Sequence, residues 1–319
     1  MLISMIRAAF LPLSLALLLT GCEFDDHSWG SSDKFKEDFH KTYPLKGGGR
    51  VSVENFNGSV EITAWDRDEV DVSGTRYART QELLDQVKVD VLASADAVRI
   101  RTQRPATDSK RWRGGYGVRY IVKVPRKTEL DRIESTNGHL HAEGTEGNAR
   151  LKTTNGGVKL NSLRGLINAT TTNGAVELRD VTGDAELHTT NGSIRTELHK
   201  GSVTAETTNG GVRLALASTS PQKAIHAETT NGNVEISAPS LNGNEIHAES
   251  TNGNITVRLP GSAKATVRAR TSNARVTSDL DVVTTFTNEK KNRLEGTING
   301  GGPLLELTTS NGSVRLERQ

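Results

Sequence analysis

Four groups of residues in this chain have types and spacings that could do chemistry. The first is Lys110-Arg111-Trp112-Arg113, with Tyr116 close behind, in the least repetitive stretch of the sequence, Arg104 to Arg119. Cationic side chains flanking an aromatic ring can hold an anion while a flat apolar face stacks on the ring. A sugar, a lipid headgroup or an acidic envelope polymer has that chemistry. The second group is Asp180 and Asp184, which flank Gly183. Paired carboxylates at a fixed separation are what glycoside cleavage needs, so a polysaccharide lyase or hydrolase is the alternative reading. Aspartate is also a favoured corner residue, and aromatics are only 4% of the chain, few for a sugar-binding cleft. A non-catalytic protein is therefore expected. The third group is His226 and His247, each followed two positions later by a glutamate, Glu228 and Glu249. Metal sites usually want three or four ligands. These two are read as stacked surface histidines, and no metal or other cofactor is expected. The fourth is Cys22, the only cysteine in the sequence, which excludes an intrachain disulfide and a thiol catalyst in the domain that follows.

The elements that must position these groups are set by a repeat. Asn137, Asn155, Asn173, Asn191 and Asn209 lie eighteen residues apart, inside the motif Ser/Thr-Thr-Asn-Gly. Gly147, Gly165, Gly183 and Gly201 fall halfway between, so a glycine recurs at every ninth position. Glycine weakens helices, and nothing here repeats near 3.6. A period near twenty with alternating apolar residues marks a solenoid. Alternation assigns inward columns such as Asp131, Ala149, Ile167, Ala185, Val203 and Leu140, Val158, Val176, Ile194, Val212. Each coil then holds two strands, and the coils stack in parallel. The asparagines are expected to form a side-chain ladder at one corner, where the Asn-Gly pair would also supply left-handed turn backbone. After Gly210 the spacing lengthens to twenty-two and then twenty-one, through Asn231, Asn252 and Asn273. The additions, such as Ser218 to Lys223, fall at the corner opposite Asn-Gly. The last coil, ending in Glu317-Arg318-Gln319, is expected to be the terminal edge, with charges that discourage further pairing.

The fold expected is all-β: a parallel β-helix or solenoid of about 18–22 residues per coil over residues 131–319, preceded by an irregular β cap module over residues 47–130. The cap includes Asn55-Phe56-Asn57-Gly58, a short helix from Thr80 to Gln86, and a hairpin from Val87 to Thr102. Residues 22–46 read as a polar tether with a short ordered piece at Glu37 to Tyr43.

Residues 1–21 carry Arg7, the apolar run Ala8 to Leu19, then Leu19-Thr20-Gly21-Cys22. The run is too short to span a bilayer and ends at a small-residue cleavage site. It resembles a bacterial lipoprotein signal, which implies lipidation of Cys22, a membrane partner through that anchor, and a cell-envelope location. Glu23 after the cysteine leans towards the outer membrane by the same resemblance. Export and a net charge of only +2 exclude nucleic acid as a partner. Taken together, the leader, the early Asn-Gly strand pair, the Val124-Pro125 ending and the TTNG coils resemble the "putative adhesin" family of bacterial β-strand-repeat proteins, related to auto-transporter adhesin heads. The resemblance spans about residues 47–319 and implies an envelope β-solenoid. It implies no catalytic residues. An envelope polysaccharide or another surface component is the expected ligand, at Lys110, Arg111, Trp112, Arg113 and Tyr116 or at the lengthened corners.

Overall fold

The computed structural model describes residues 33–105, 115–219, 223–284 and 291–319. Among these residues the chain is all-β apart from one short helix, and its strands form two long sheets of thirteen and fourteen strands, mostly parallel. One coil shows how the sequence builds them. Ala149–Asn155 alternates buried and exposed side chains in the fourteen-stranded sheet. The chain turns at Gly156-Gly157, and Val158–Asn161 alternates likewise in the thirteen-stranded sheet. The next coil repeats both strands in register, Leu151 beside Ala169 and Val158 beside Val176. The inward residues of both sheets form one apolar cluster, with Leu151, Leu160, Leu163 and Leu187 fully buried.

Three of the four positions of the TTNG motif have separate physical tasks. The first threonine points inward, and its Oγ1 donates to the glycine carbonyl of the preceding coil, as Thr153 does to Gly138 and Thr189 to Gly174, each at 2.9 Å. A buried hydroxyl would otherwise be costly. The asparagine amides run as a single chain of side-chain hydrogen bonds. Asn155 donates to Asn137, Asn173 to Asn155, Asn191 to Asn173, Asn209 to Asn191, Asn231 to Asn209 and Asn252 to Asn231, at 2.7–2.9 Å. It extends to Asn57 at one end and, through Asn311, to Asn273 at the other.

The glycine of the motif is required by proximity rather than by a left-handed backbone. None of Gly138, Gly156, Gly174, Gly192 or Gly210 has a positive φ. A Cβ at Gly192 would instead lie 1.9 Å from the carbonyl oxygen of Gly174 in the coil before. At the opposite corner Gly183 meets both conditions, with φ +128° and a hypothetical Cβ 2.0 Å from the Gly165 oxygen.

Three expectations are corrected. Asp131 does not face inward. A bulge sets Leu130 beside Ala149, and Asp131 is exposed. Part of the expected tether, residues 22–46, is strand: Phe35–Pro44 pairs antiparallel with Glu69–Ala78 and ends the thirteen-stranded sheet. Its half-buried residues are Phe35, Phe39 and Tyr43, and Phe39 packs edge-on against Tyr120. Charged Glu37 and Lys41 hold the positions between them on that face, which breaks the alternation a strand is recognised by. Third, the coils do not stack in chain order at either end. Gly49–Glu54 and Val60–Trp65 lie directly beside Thr128–Asn137 and Leu140–Glu143, so residues 47–130 continue both sheets rather than cap them from outside. Ala97–Gln103 and Tyr116–Pro125 lie one step further out. At the other end Leu304–Thr309 and Val314–Arg318 insert between the coil of Ile246–Ser250 and that of Ala265–Thr271. The last coil is thus interior. It keeps the full Asn311-Gly312 corner, whereas the coil outside it has Ala274 after Asn273.

Adjacent Gly210 and Gly211 separate the proximity argument from general flexibility. A Cβ at Gly210 would lie 2.0 Å from the Gly192 oxygen, and one at Gly211 would lie 3.4 Å from its nearest neighbour, the Asn233 oxygen. Gly210→Ala is expected to destabilise by about 2 kcal/mol or more, the scale of core overpacking. Gly211→Ala is expected to be neutral, or to stabilise by up to about 1 kcal/mol through the unfolded chain. Urea midpoints of the two variants measure this, and equal midpoints would refute the close-approach account.

Candidate functional site

Among the described residues a groove opens at the N-terminal end of the two sheets. One wall is Phe35–Pro44 with Glu69–Ala78, and the other is the hairpin Lys88–Ala93 with Ala97–Gln103. Its volume is about 630 Å³. The floor is apolar because the inner faces of the outermost strands have no further coil to cover them, leaving Phe39, Tyr43, Val89 and Val91 half-buried. The rim is basic: Lys41, Arg76, Lys88, Arg99 and Arg101 stand against Glu54 and Asp90. Arg76 is committed to Glu37 and to the Val87 carbonyl, and Asp90 to Gln103. Lys41, Lys88 and Arg99 make no ion pair among the described residues. The floor can take an apolar surface, and the free cations can take an anion.

Lys110, Arg111, Trp112 and Arg113 of the sequence-predicted basic loop, like Cys22, lie outside the described residues. Tyr116 does not belong to the loop surface, which is a correction. It opens the strand Tyr116–Pro125, its ring is 4% exposed and packs edge-on against Phe56, and its carbonyl accepts from the Asn57 amide. Arg104, on the other stem, lies over the Phe56 ring, 5.4 Å from its centroid.

The candidate carboxylates serve the corners. Asp184 Oδ1 accepts from the Ser202 amide at 3.1 Å, and Oδ2 is paired with Lys223. Asp180 sits in left-handed backbone, φ 49°, with Lys200 3.7 Å away.

On the outer face of the fourteen-stranded sheet, His226 and His247 stand side by side in register, ring centroids 6.4 Å apart. The same register sets Glu206, Glu228 and Glu249 in a row across three strands. One ligand atom from each of Glu206, His226 and Glu228 lies within 4.8 Å of the other two. The sequence reading missed Glu206 and, beyond it, His188. The signal was available: the Asn209-to-Asn231 spacing of twenty-two aligns Glu206 with Glu228.

The sequence pattern of the Toastrack DUF4097 family matches residues 49–317. The chain belongs to that family. No curated protein matches it. Among solved structures it is similar to a "putative adhesin" from Parabacteroides distasonis ATCC 8503, at 13% identity over 88% of this chain and 97% of that one, with a TM-score of 0.49. A "putative adhesin" from Bacteroides fragilis NCTC 9343 is 12% identical over 89% of this chain and 97% of that one, with a TM-score of 0.42. The Toastrack match begins at Gly49, so the Phe35–Pro44 wall of the groove precedes it. No helix among the described residues is long and apolar enough to cross a membrane.

One buried group of this Toastrack chain links its fold to pH. His199 is fully buried, its Nε2 donates to the Ser202 carbonyl at 3.3 Å, and its Nδ1 has no partner among the described residues. Burial pushes its pKa down, opposed by the Ser202 carbonyl and by Asp184. The native state therefore holds a neutral imidazole, while the unfolded chain takes up a proton near pH 6.5. The sign follows from linkage: full stability above about pH 6.5, lost progressively as pH falls towards the lowered native value. Thermal melts from pH 7.5 to 5.0 are expected to show a shallower decline in Tm for His199→Leu than for the wild type. Parallel declines would show that His199 does not titrate with folding.

Proposed function

We propose that this chain is a lipid-anchored, non-catalytic scaffold of the bacterial cell envelope, of adhesin type, that binds an anionic envelope polymer at the N-terminal end of its stack. The observation that carries this is the groove with an apolar floor and a rim holding Lys41, Lys88 and Arg99 unpaired among the described residues. Its chemistry, cations beside apolar surface, matches that of Lys110–Arg113 in the sequence, so one class of ligand suits both. A lipid on Cys22 would tether the chain thirteen residues before Phe35, the first residue of the strand that walls the groove. The absence of catalysis is supported by Asp184 and Asp180, whose carboxylates are occupied by Ser202, Lys223 and Lys200.

Binding of the full chain to isolated anionic envelope polysaccharide tests the reading. Lys88→Glu with Arg99→Glu is expected to weaken binding about tenfold or more, and wild-type affinity should fall with added salt. Arg111→Ala with Trp112→Ala and Arg113→Ala reports on the loop separately. Unchanged affinity in both variants would overturn the binding assignment. Release of reducing ends or unsaturated uronides from the same polymer would overturn the non-catalytic one.

A further inference from the structure

We propose that Glu206, His226 and Glu228 form a site for a divalent transition-metal ion of the zinc class, on a face of the protein remote in sequence from the N-terminal groove. The inference is independent of polymer binding. The three side chains come from two neighbouring strands, Val203–Asn209 and Ile225–Asn231, paired in parallel with Thr204 beside His226 and Glu206 beside Glu228. Residues two apart on a strand share a face, so His226 and Glu228 project together. His226 Nε2 is 3.6 Å from Glu228 Oε2, and one ligand atom of each of the three lies within 4.8 Å of the others. Ligands held tetrahedrally at zinc bond lengths of about 2.0–2.2 Å lie roughly 3.3 Å apart. Rotations of partly exposed side chains, moving the atoms by about 1 Å, close that difference.

The charge pattern gives a second and separate argument. Glu206, Glu228 and Glu249 are direct neighbours across three strands. Like charges directly opposite one another in a sheet are destabilising. On other outward columns several glutamates meet guanidinium groups: Glu197 meets Arg179, Glu235 meets Arg213 and Arg258, and Glu295 meets Arg270 and Arg293. Among the described residues the ion-pair partners of Glu206 and Glu228 are imidazoles instead, His188 Nδ1 at 3.2 Å and His226 Nε2 at 3.6 Å. An imidazole ring nitrogen can ligate a metal ion, whereas a guanidinium has donors only and cannot. A dication between the two strands would neutralise the row. The mixed imidazole and carboxylate set selects zinc, nickel or copper over magnesium and calcium, which take oxygen donors. Three protein ligands leave a fourth position for water or for His188, which already contacts Glu206.

The test is titration calorimetry of the chelator-treated full chain with ZnCl₂, NiCl₂, MgCl₂ and CaCl₂ at pH 7.5. Saturable zinc and nickel binding is expected, with magnesium and calcium at least about tenfold weaker. His226→Gln and Glu206→Gln, on different strands, should each weaken zinc binding about tenfold or more, and His141→Gln on the other sheet should leave it unchanged. Zinc should raise the Tm of the wild type and not that of His226→Gln. Melts of the metal-free variants confirm that both remain folded. Absence of saturable zinc binding, or wild-type affinity in either variant, would overturn the site.

Discussion

Everything in this fold depends on how closely one glycine corner sits on the next. With a Cβ at Gly192, the distance to the Gly174 oxygen would be 1.9 Å, and the same holds within a few tenths of an ångström at every Asn-Gly corner from Gly138 to Gly253. That proximity lets the threonine hydroxyl reach the carbonyl of the preceding coil and lets each asparagine reach the next at hydrogen-bond distance. It also holds the strands in parallel register, so a column of like residues becomes a row of direct neighbours. The outward chemistry is a consequence of the corner: wherever spacing along the chain changes, the corner still aligns, and the side chains beside it are brought into contact.

The sequence made the coil legible because its constraints are local. Alternation fixes which side chains are inside, and the asparagine spacing fixes which residues face one another. It could not say which coil lies beside which, since a coil with a complete corner can be stacked upon from both sides. Leu304–Arg318 satisfies that condition and is found inside, while the coil carrying Ala274 lies outside it. The same ambiguity hid the groove. Val89 and Val91 on its floor alternate and read as core, while Phe39 and Tyr43 lie in a strand whose alternation Glu37 and Lys41 break; all four stay half-exposed because the stack stops there. Tyr116 failed in the opposite sense, since an aromatic near a basic loop reads as surface until the strand it opens is seen to pack on Phe56. Asp131 was lost to a single bulge, which shifts every inward position before it.

The two candidate sites arise from different properties of the stack. The groove is an end effect: the terminal strands expose inner faces that any interior coil would have covered. The His226 cluster is a register effect, created where the spacing changes from eighteen to twenty-two and two glutamates meet. Neither disturbs the corner. Chemistry can therefore be placed on outward columns or at the ends with small cost to the fold, which explains how a repeat this uniform can carry individual sites.

The direction of the asparagine ladder is settled at one end. A backbone carbonyl can only accept, so the Asn57 amide nitrogen must face the Tyr116 oxygen, 2.9 Å away. Its own oxygen then faces Asn137, which must donate to it, and the same choice passes from coil to coil to Asn273. One backbone carbonyl thus orients nine amide–amide bonds, and amides aligned in one direction polarise and strengthen one another. The Tyr116 contact is accordingly more than a packing detail. It fixes the polarity of the ladder where the stack begins, and the strand that supplies it also forms a stem of the basic loop.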